Sequence, residues 1–180
     1  MTSTDSTVEK WLKLQAGGYA DLSAEERQAI QNFSLLWSLF EARVLSNNAN
    51  IPRIRQRVTE AANLGAGIDA APFQESLAYF TARYYTNGDF NRRFEQLHFP
   101  NGQNSGRAEA EAVLNGTQTT APEIVMALLA ILYRLRNNLF HGEKWTFYFK
   151  DQLDNFTHAC VVLMRVIEMF DQKGLIFTPE

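Results

Sequence analysis

The most constraining feature of this sequence is an uncharged run of ten residues, 124–133, that is followed at once by polar and charged side chains. At about 100° per residue, the large aliphatic side chains here fall on one stripe, which is typical of a helix packed against others. The stripe comprises Val125, Leu128, Leu129, Leu132, Leu135 and Leu139. Because the run is much shorter than the ~20 apolar residues that cross a bilayer, it predicts a core helix.

Arg136 lies on the centre line of this stripe, where an unpaired buried charge costs several kcal/mol. It must therefore reach solvent, meet a carboxylate or face a cleft. Asn137 and His141 are one helical turn apart, so Asn137 can orient the imidazole, and Gly142 is typical of the position just past a helix end. The sequence therefore predicts a polar site of Arg136, Asn137 and His141 at the end of a core helix.

The spacing of these residues matches a known motif. It consists of an Arg, a polar residue directly after it, three further residues and a His, in the local string RNNLFHGEK at 136–144. This pattern at the end of an apolar helix resembles the HEPN domains (higher eukaryotes and prokaryotes nucleotide-binding). The string is similar to the large bacterial branch of that superfamily, whose members are mostly ribonucleases, often toxins or phage-defence effectors. The resemblance covers residues 124–145 specifically and the helical layout only loosely.

The resemblance implies a metal-independent endoribonuclease, without a cofactor, that acts as a homodimer with two motifs facing each other across a cleft. It implies Arg136, Asn137 and His141 as the catalytic residues. We expect the dimer to form through residues 134–145, with Phe140 or Trp145 as an apolar anchor. Such domains are toxins neutralised by a nucleotidyltransferase-type antitoxin, or stand-alone defence proteins, and the sequence does not select between these settings.

The residue types suit RNA cleavage without a metal. A neutral imidazole can accept the proton of the 2′-hydroxyl, and an imidazolium can donate a proton to the leaving 5′-oxygen. Arg136 would stabilise the charge on the phosphorane oxygens. The main alternative is a non-catalytic HEPN-like module that uses the Arg–His cleft to hold a nucleotide or a partner. An unrelated helical protein is a third possibility.

A second charged residue on an apolar stripe, Glu41, lies in an earlier helix. Ser23 and Glu26 form a capping box that predicts a helix running to about Leu45. Glu41 falls on its apolar stripe of Ile30, Phe33, Trp37, Phe40 and Val44. We therefore expect Glu41 and Arg136 to pair and their helices to pack side by side. The pair is either a purely structural buried ion pair or a device that aims the remaining Arg136 N–H groups into a cleft.

Lys144 is predicted to be a supporting residue of the site. Like Glu41, it is assigned from the sequence itself and not from the resemblance.

The candidate RNA contacts are local groups of arginines. The net charge of −3 and pI near 5.7 argue against a protein that coats nucleic acid nonspecifically, so any RNA contact must be local. The local groups are Arg53, Arg55 and Arg57, then Arg92 and Arg93, then Arg134 and Arg136. Of these we select Arg134, Arg53 and Arg57 as RNA contacts, although a solvated helix face is the simpler interpretation of the first two groups.

The remainder of the chain predicts an all-α helical bundle, a single domain over residues 1–180 with short accessory helices. Further helices are expected from Pro52 to about 64 and over 71–85, 107–114 and 147–172, with a turn at 86–89 and no alternating strand pattern. Residues 1–20 should dock on the body through Trp11, Leu12 and Leu14. Residues 174–180 should form an extended tail.

The cysteine and the two histidines outside the motif do not indicate a second functional site. Cys160 is the only cysteine, so an internal disulfide is impossible, and no Cys or His cluster has zinc-site spacing. His98 and His158 lack sequence neighbours that would form a site, which favours structural or surface roles. The polar N-terminus has no apolar leader segment, so we expect a cytoplasmic protein with no membrane contact.

Overall fold

The computed structural model describes residues 6–140 and 152–177, and most of this part of the chain is helical. Its eight α-helices are α1 (Thr7–Gln15), α2 (Ala24–Leu45), α3 (Ile51–Ala62), α4 (Gln74–Tyr84), α5 (Arg92–Glu95), α6 (Arg107–Leu114), α7 (Ala121–Phe140) and α8 (Leu153–Gln172). Single 3-10 turns occur at Tyr19–Asp21 and Ala71–Phe73, and a hairpin is formed by β1 (Tyr85–Thr86) and β2 (Asp89–Phe90). The predicted all-α architecture is confirmed.

Helix α7 forms the centre of the bundle. All nine residues of 124–132 are buried, so this part of the helix is apolar around its whole circumference and not along one stripe. It packs most extensively against α6 and α3, while α2 packs mainly against α8. Tyr133 and Arg134 are half-buried, and after them buried Leu135, Asn137 and Leu139 alternate with half-buried Arg136 and Asn138. The helix therefore leaves the core at its C-terminal end, where the motif begins.

Local sequence signals account for most helix boundaries. Ser23 caps α2: its hydroxyl accepts the Glu26 N–H (3.0 Å) and its own N–H donates to the Glu26 carboxylate (2.8 Å). The Asn50 side chain accepts the Arg53 N–H at 2.8 Å, and Pro52 lies in the first turn of α3. The predicted extents of α2, α3 and α6 are confirmed.

The N-terminal segment docks differently from the prediction. Leu12 and Ala16 pack against the core and Tyr19 is buried, but Trp11 is 61% exposed and Leu14 is 81% exposed. Because Leu12 and Ala16 are one turn apart, docking through them turns both neighbours outward, at about 100° and 200° from Leu12. The expectation that Trp11 and Leu14 dock is wrong.

The turn expected at 86–89 is present, and it joins two short strands that the sequence did not indicate. Tyr85 pairs with Phe90 and Thr86 with Asp89. Asn87 and Gly88 both have positive φ, 56° and 86°, as a type I′ hairpin requires. Strands of two residues are too short to produce an alternating pattern, which explains why no strand could be predicted from the sequence here.

Helix α8 begins at Leu153 within the described residues, whereas the sequence predicted a start at 147; positions 147–151 lie outside that part of the chain. Gly174 follows the helix with a φ of 66°, as predicted for a stop signal. Residues 175–177 have no regular secondary structure, and the Phe177 N–H donates to the Arg43 carbonyl at 2.8 Å. The tail is therefore attached to the end of α2, and positions 178–180 are not described.

Gly106 allows α6 to approach α7 and α3, which gives a first testable prediction. Its φ is 81°, and an added Cβ would lie 2.9 Å from both Ala130 Cβ and Ile51 Cδ1. We expect Gly106→Ala to lower the free energy of unfolding by about 2–4 kcal/mol, the sum of left-handed backbone strain and overpacking. Urea denaturation followed by tryptophan fluorescence measures this change.

Gly116 provides the matched control. Its φ is also positive, at 79°, but nothing lies within 4 Å of its added Cβ. Gly116→Ala should therefore cost only the backbone strain, about 1–2 kcal/mol. Equal losses in the two variants would contradict the role assigned to close packing at Gly106.

Candidate functional site

The described part of the predicted site lies in the last turns of α7. Arg136 is half-buried and Asn137 is 8% exposed, and Arg136 Nη1 donates a hydrogen bond to Asn137 Oδ1 at 3.2 Å. His141 and Lys144 lie outside the described residues, as do Trp145 and the side chain of Phe140. The Arg–Asn pair is thus in contact, and the proposed contact of Asn137 with His141 stays a prediction.

The predicted contact between Glu41 and Arg136 is present. Arg136 Nη2 lies 3.9 Å from Glu41 Oε2, within range of charge attraction but too far for a hydrogen bond. The same Glu41 oxygen accepts a hydrogen bond from Trp37 Nε1 at 3.0 Å. Because Trp37 is four residues before Glu41 on α2, it fixes the carboxylate from within the same helix.

Long side chains make the contact between α2 and α7. The Trp37 and Tyr133 rings are 6.0 Å apart, beside the Glu41–Arg136 pair. The closest backbone packing of α2 is on α8, and that of α7 is on α6 and α3. The predicted contact of α2 with α7 is therefore present, but neither helix is the main packing partner of the other.

The ion pair is also more exposed than expected. The Arg136 side chain is 30% exposed and that of Glu41 is 24% exposed, so the pair is partly buried. Solvent therefore screens part of its charge attraction, and its contribution to stability should be about 1 kcal/mol or less. Loss of Glu41 should therefore disturb the direction of the guanidinium more than it disturbs the fold.

Two neighbouring side chains of the motif serve the fold. Arg134 Nε donates to the Leu97 carbonyl at 3.0 Å, and Asn138 Nδ2 donates to the carbonyls of Gln96 (3.3 Å) and Leu97 (3.2 Å). Burial lowers the pKa of Arg134 below its usual value, against a smaller opposing effect of Tyr133. These bonds attach the segment after α5 to α7. The RNA-contact role of Arg134 stays a prediction, and the role of Asn138 was not foreseen.

Arg57 is a structural residue. It is 5% exposed, its Nε donates to the Val44 carbonyl at 2.8 Å, and its two terminal nitrogens contact Glu60 and the Leu175 carbonyl. Its guanidinium also lies 4.8 Å from the Phe177 ring. Both sequence-based interpretations of Arg57, a solvated face and an RNA contact, require an exposed side chain and are therefore wrong. The side chain joins the end of α2 to the C-terminal tail.

Arg53 lies nearer the surface than Arg57. It is half-buried, and its side chain donates to the Leu45 carbonyl at 3.4 Å and to Gln56 Oε1 at 2.9 Å. Its guanidinium lies 5.6 Å from the Phe177 ring. These contacts orient Arg53 at the corner between α2 and α3, and its RNA-contact role stays a prediction.

A polar and aromatic cluster around His158 was missed by the sequence analysis. The His158 ring stacks on Tyr79 with centroids 4.2 Å apart, and its Nδ1 lies 3.3 Å from Ser76 Oγ. The Tyr79 hydroxyl donates to Asn155 Oδ1 at 2.9 Å. His158 therefore has neighbours after all, but they come from α4, more than seventy positions earlier in the chain, and no local spacing could reveal them.

Among residues 6–140 and 152–177 no group of three or more His, Cys, Asp or Glu is placed to hold a metal ion, and no helix there is long and apolar enough to cross a membrane. Burial raises the pKa of Cys160 to about 11, so its thiol stays protonated at neutral pH.

Comparisons with protein-family models, with curated proteins and with solved structures find no match for this chain. The resemblance to HEPN domains therefore depends on the motif residues alone.

The buried Arg57 yields a second prediction. Arg57→Gln removes a guanidinium that bonds two main-chain carbonyls and a carboxylate, so the free energy of unfolding should fall by about 2–4 kcal/mol. Chemical denaturation of the purified variant measures the loss. Arg53→Gln, with the same change of side chain at a half-buried position, should cost less than about 1 kcal/mol. A comparable loss in both variants would show that Arg57 has no special structural role.

Proposed function

We propose that this protein is a metal-independent endoribonuclease that cleaves RNA through attack of the substrate's own 2′-hydroxyl. The observation that carries the proposal is the string RNNLFHGEK at the end of a buried helix. The position of Arg136 supports it, because the guanidinium is at the point where α7 leaves the core and is partly exposed beside Glu41. No cofactor is needed for this chemistry.

In the proposed reaction, His141 accepts the proton of the 2′-hydroxyl while the 2′-oxygen attacks the adjacent phosphorus. The bond from phosphorus to the 5′-oxygen breaks, and an imidazolium donates the proton that this oxygen requires. The products are a 2′,3′-cyclic phosphate and a 5′-hydroxyl. Arg136 stabilises the additional negative charge on the phosphorane, and Asn137 orients its guanidinium. Glu41 and Lys144 are supporting residues in this proposal.

We also propose a homodimer formed through residues 134–145. The reaction requires a base on one side of the phosphate and an acid on the other, while each chain contributes one motif histidine. A twofold axis near the end of α7 would place two copies of His141 and Arg136 in one cleft. It would also concentrate positive charge in a protein whose net charge is −3.

The biological setting that we propose is a cytoplasmic toxin–antitoxin or phage-defence system, in which an antitoxin or other regulatory protein is a further partner. The alternative function is a non-catalytic module that holds a nucleotide or a protein partner at the same cleft. The acidic net charge favours this alternative, as does the use of Arg57 within the fold.

The test of the proposed function is a cleavage assay with purified protein and RNA. We expect wild-type protein to cut RNA in excess EDTA, to leave 2′,3′-cyclic phosphate ends, and to spare DNA, which has no 2′-hydroxyl. His141→Ala should abolish cleavage without unfolding the protein, because it removes the proton-transfer group. End analysis by mass spectrometry identifies the products.

Three results would contradict the assignment: wild-type cleavage rates in His141→Ala, a strict requirement for magnesium, or 5′-phosphate products. Arg136→Ala should also be inactive, but it is a less clean variant because it removes the ion-pair partner of Glu41. A folded wild-type protein that binds nucleotide and cuts no RNA would support the non-catalytic alternative.

The dimer makes a separate prediction. A mixed dimer of wild-type and His141→Ala chains, isolated with two different affinity tags, should be severely impaired, because each cleft would contain one histidine instead of two. Light scattering measures the oligomeric state, and the cleavage assay measures the activity of the mixed species. A strictly monomeric nuclease, or a mixed dimer with about half the activity, would indicate that each chain has a complete site.

A further inference from the structure

A basic and aromatic surface lies next to the end of α7. It is formed by Tyr79 and Arg83 on α4 and by Arg92 and Arg93 on α5, and we call these four residues the α4–α5 face. Tyr79 and Arg83 are one turn apart and therefore lie on the same side of α4. Both are half-buried, whereas Arg92 and Arg93 are exposed.

Hydrogen bonds hold the two helices of this face together. Asn91, the N-cap of α5, donates from its side chain to the Arg83 carbonyl at 2.8 Å and from its backbone to the Tyr84 carbonyl at 3.0 Å. Arg92 and Arg93 follow it directly in the chain. The positive charges of α4 and α5 are therefore held near each other by the backbone and do not depend on flexible loops.

The pKa of Tyr84 is affected by arginines of both α4 and α5. Burial raises the pKa of its phenol above the usual value, and the charges of Arg83 and Arg93 act against that rise. Its ring contacts Phe94 of α5, with centroids 6.1 Å apart. Arg83 and Arg93 thus lie around one buried ring that joins the two helices.

The face is fixed to the motif helix as well. Arg134 and Asn138 of α7 bond the carbonyls of Gln96 and Leu97, immediately after α5. The nearest acidic side chain of α5, Glu95, is paired with Arg107 through contacts of 2.6 and 3.0 Å, and this pairing lowers the Glu95 pKa. The charge of Glu95 is thus already balanced by a residue outside the face.

Half-buried aromatic rings lie on α4 and on the hairpin that joins α4 to α5. Tyr79 is stacked on His158 at 4.2 Å, and the rings of Tyr85 and Phe90 on the hairpin between α4 and α5 are 4.9 Å apart. Arginines interleaved with such rings suit single-stranded nucleic acid, since phosphates bind the guanidinium groups and bases stack on the rings. A fully paired duplex offers no unstacked base to these rings.

We infer that the α4–α5 face binds single-stranded RNA and leads it to the end of α7. The inference rests on the proposed ribonuclease function and assigns its substrate-binding surface. Arg92 and Arg93, the exposed arginines of the face, contact the phosphates, and the Tyr79–His158 stack receives a base. This surface replaces buried Arg57 as the RNA contact of an acidic protein.

Binding is tested by fluorescence anisotropy with labelled single-stranded RNA of about twenty nucleotides, enough to span more than one site of this kind. All proteins carry His141→Ala so that the probe stays intact. Adding Arg92→Gln and Arg93→Gln together should weaken binding at least tenfold. The salt dependence of log K should become shallower by about 1.4, because two phosphate contacts are lost.

The matched control replaces two basic residues that have no assigned role in the site, Lys10→Gln on α1 and Arg43→Gln on α2. It changes the net charge by the same amount; Lys10 is exposed, and Arg43 faces Asp171 at 3.8 Å. Binding by this control should stay within about twofold of the parent protein. Circular dichroism confirms that both double variants are folded.

A second pair of variants tests the aromatic part. Tyr79→Phe keeps the ring, while Tyr79→Leu removes it, and both lose the hydrogen bond to Asn155. Only Tyr79→Leu should weaken binding, by about fivefold or more. Equal losses in both would assign the effect to the hydrogen bond and overturn the stacking role.

The inference is overturned if the Arg92→Gln/Arg93→Gln protein keeps the parent affinity and salt slope, or if the control loses as much affinity. If the wild-type protein nevertheless cuts RNA, the proposed ribonuclease function stands and only the assignment of the α4–α5 face as the RNA-binding surface is wrong. A wild-type protein that neither cuts nor binds RNA overturns the proposed function itself, and the inference with it.

Discussion

The structure depends on the complete burial of α7 over residues 124–132. A helix with no solvent-facing side requires neighbours on every side, and α3, α6 and α8 all lie against it. Close packing at Gly106 is one result of this requirement, because a side chain there would meet both Ala130 and Ile51. The motif begins where the burial ends, so its polar groups are carried on a helix that is packed on every side over residues 124–132.

Arginine has two different uses in this fold. Arg57 and Arg134 donate to main-chain carbonyls and so attach segments that would otherwise end with unpaired acceptors. Arg136 and the arginines of α5 keep part of their surface in water. Net charge alone cannot separate these uses, because a buried guanidinium and an exposed one contribute equally to it. The difference lies in which backbone oxygens are near.

Sequence reasoning succeeded where a local signal determines the structure. The capping box at Ser23, the Asn50 cap and Pro52 defined α2 and α3, and the two misplaced charges predicted the contact of Glu41 with Arg136. It failed where distant segments decide the outcome. The burial of Arg57 depends on the tail at Leu175 and the neighbours of His158 come from α4, while the exposure of Trp11 follows from which side of α1 docks. Periodicity identifies an apolar side but not the element that will cover it.

The hydrogen bonds from α7 to the segment after α5 affect how the sequence of α5 can evolve. Arg134 and Asn138 bond main-chain oxygens, and every amino acid carries such an oxygen. Substitutions among the outward-facing residues of α5 can therefore accumulate without loosening its attachment to the motif helix. The outer surface of this short helix is free to diverge and to acquire new ligand preferences, while the residues of α7 that hold it in place must stay the same.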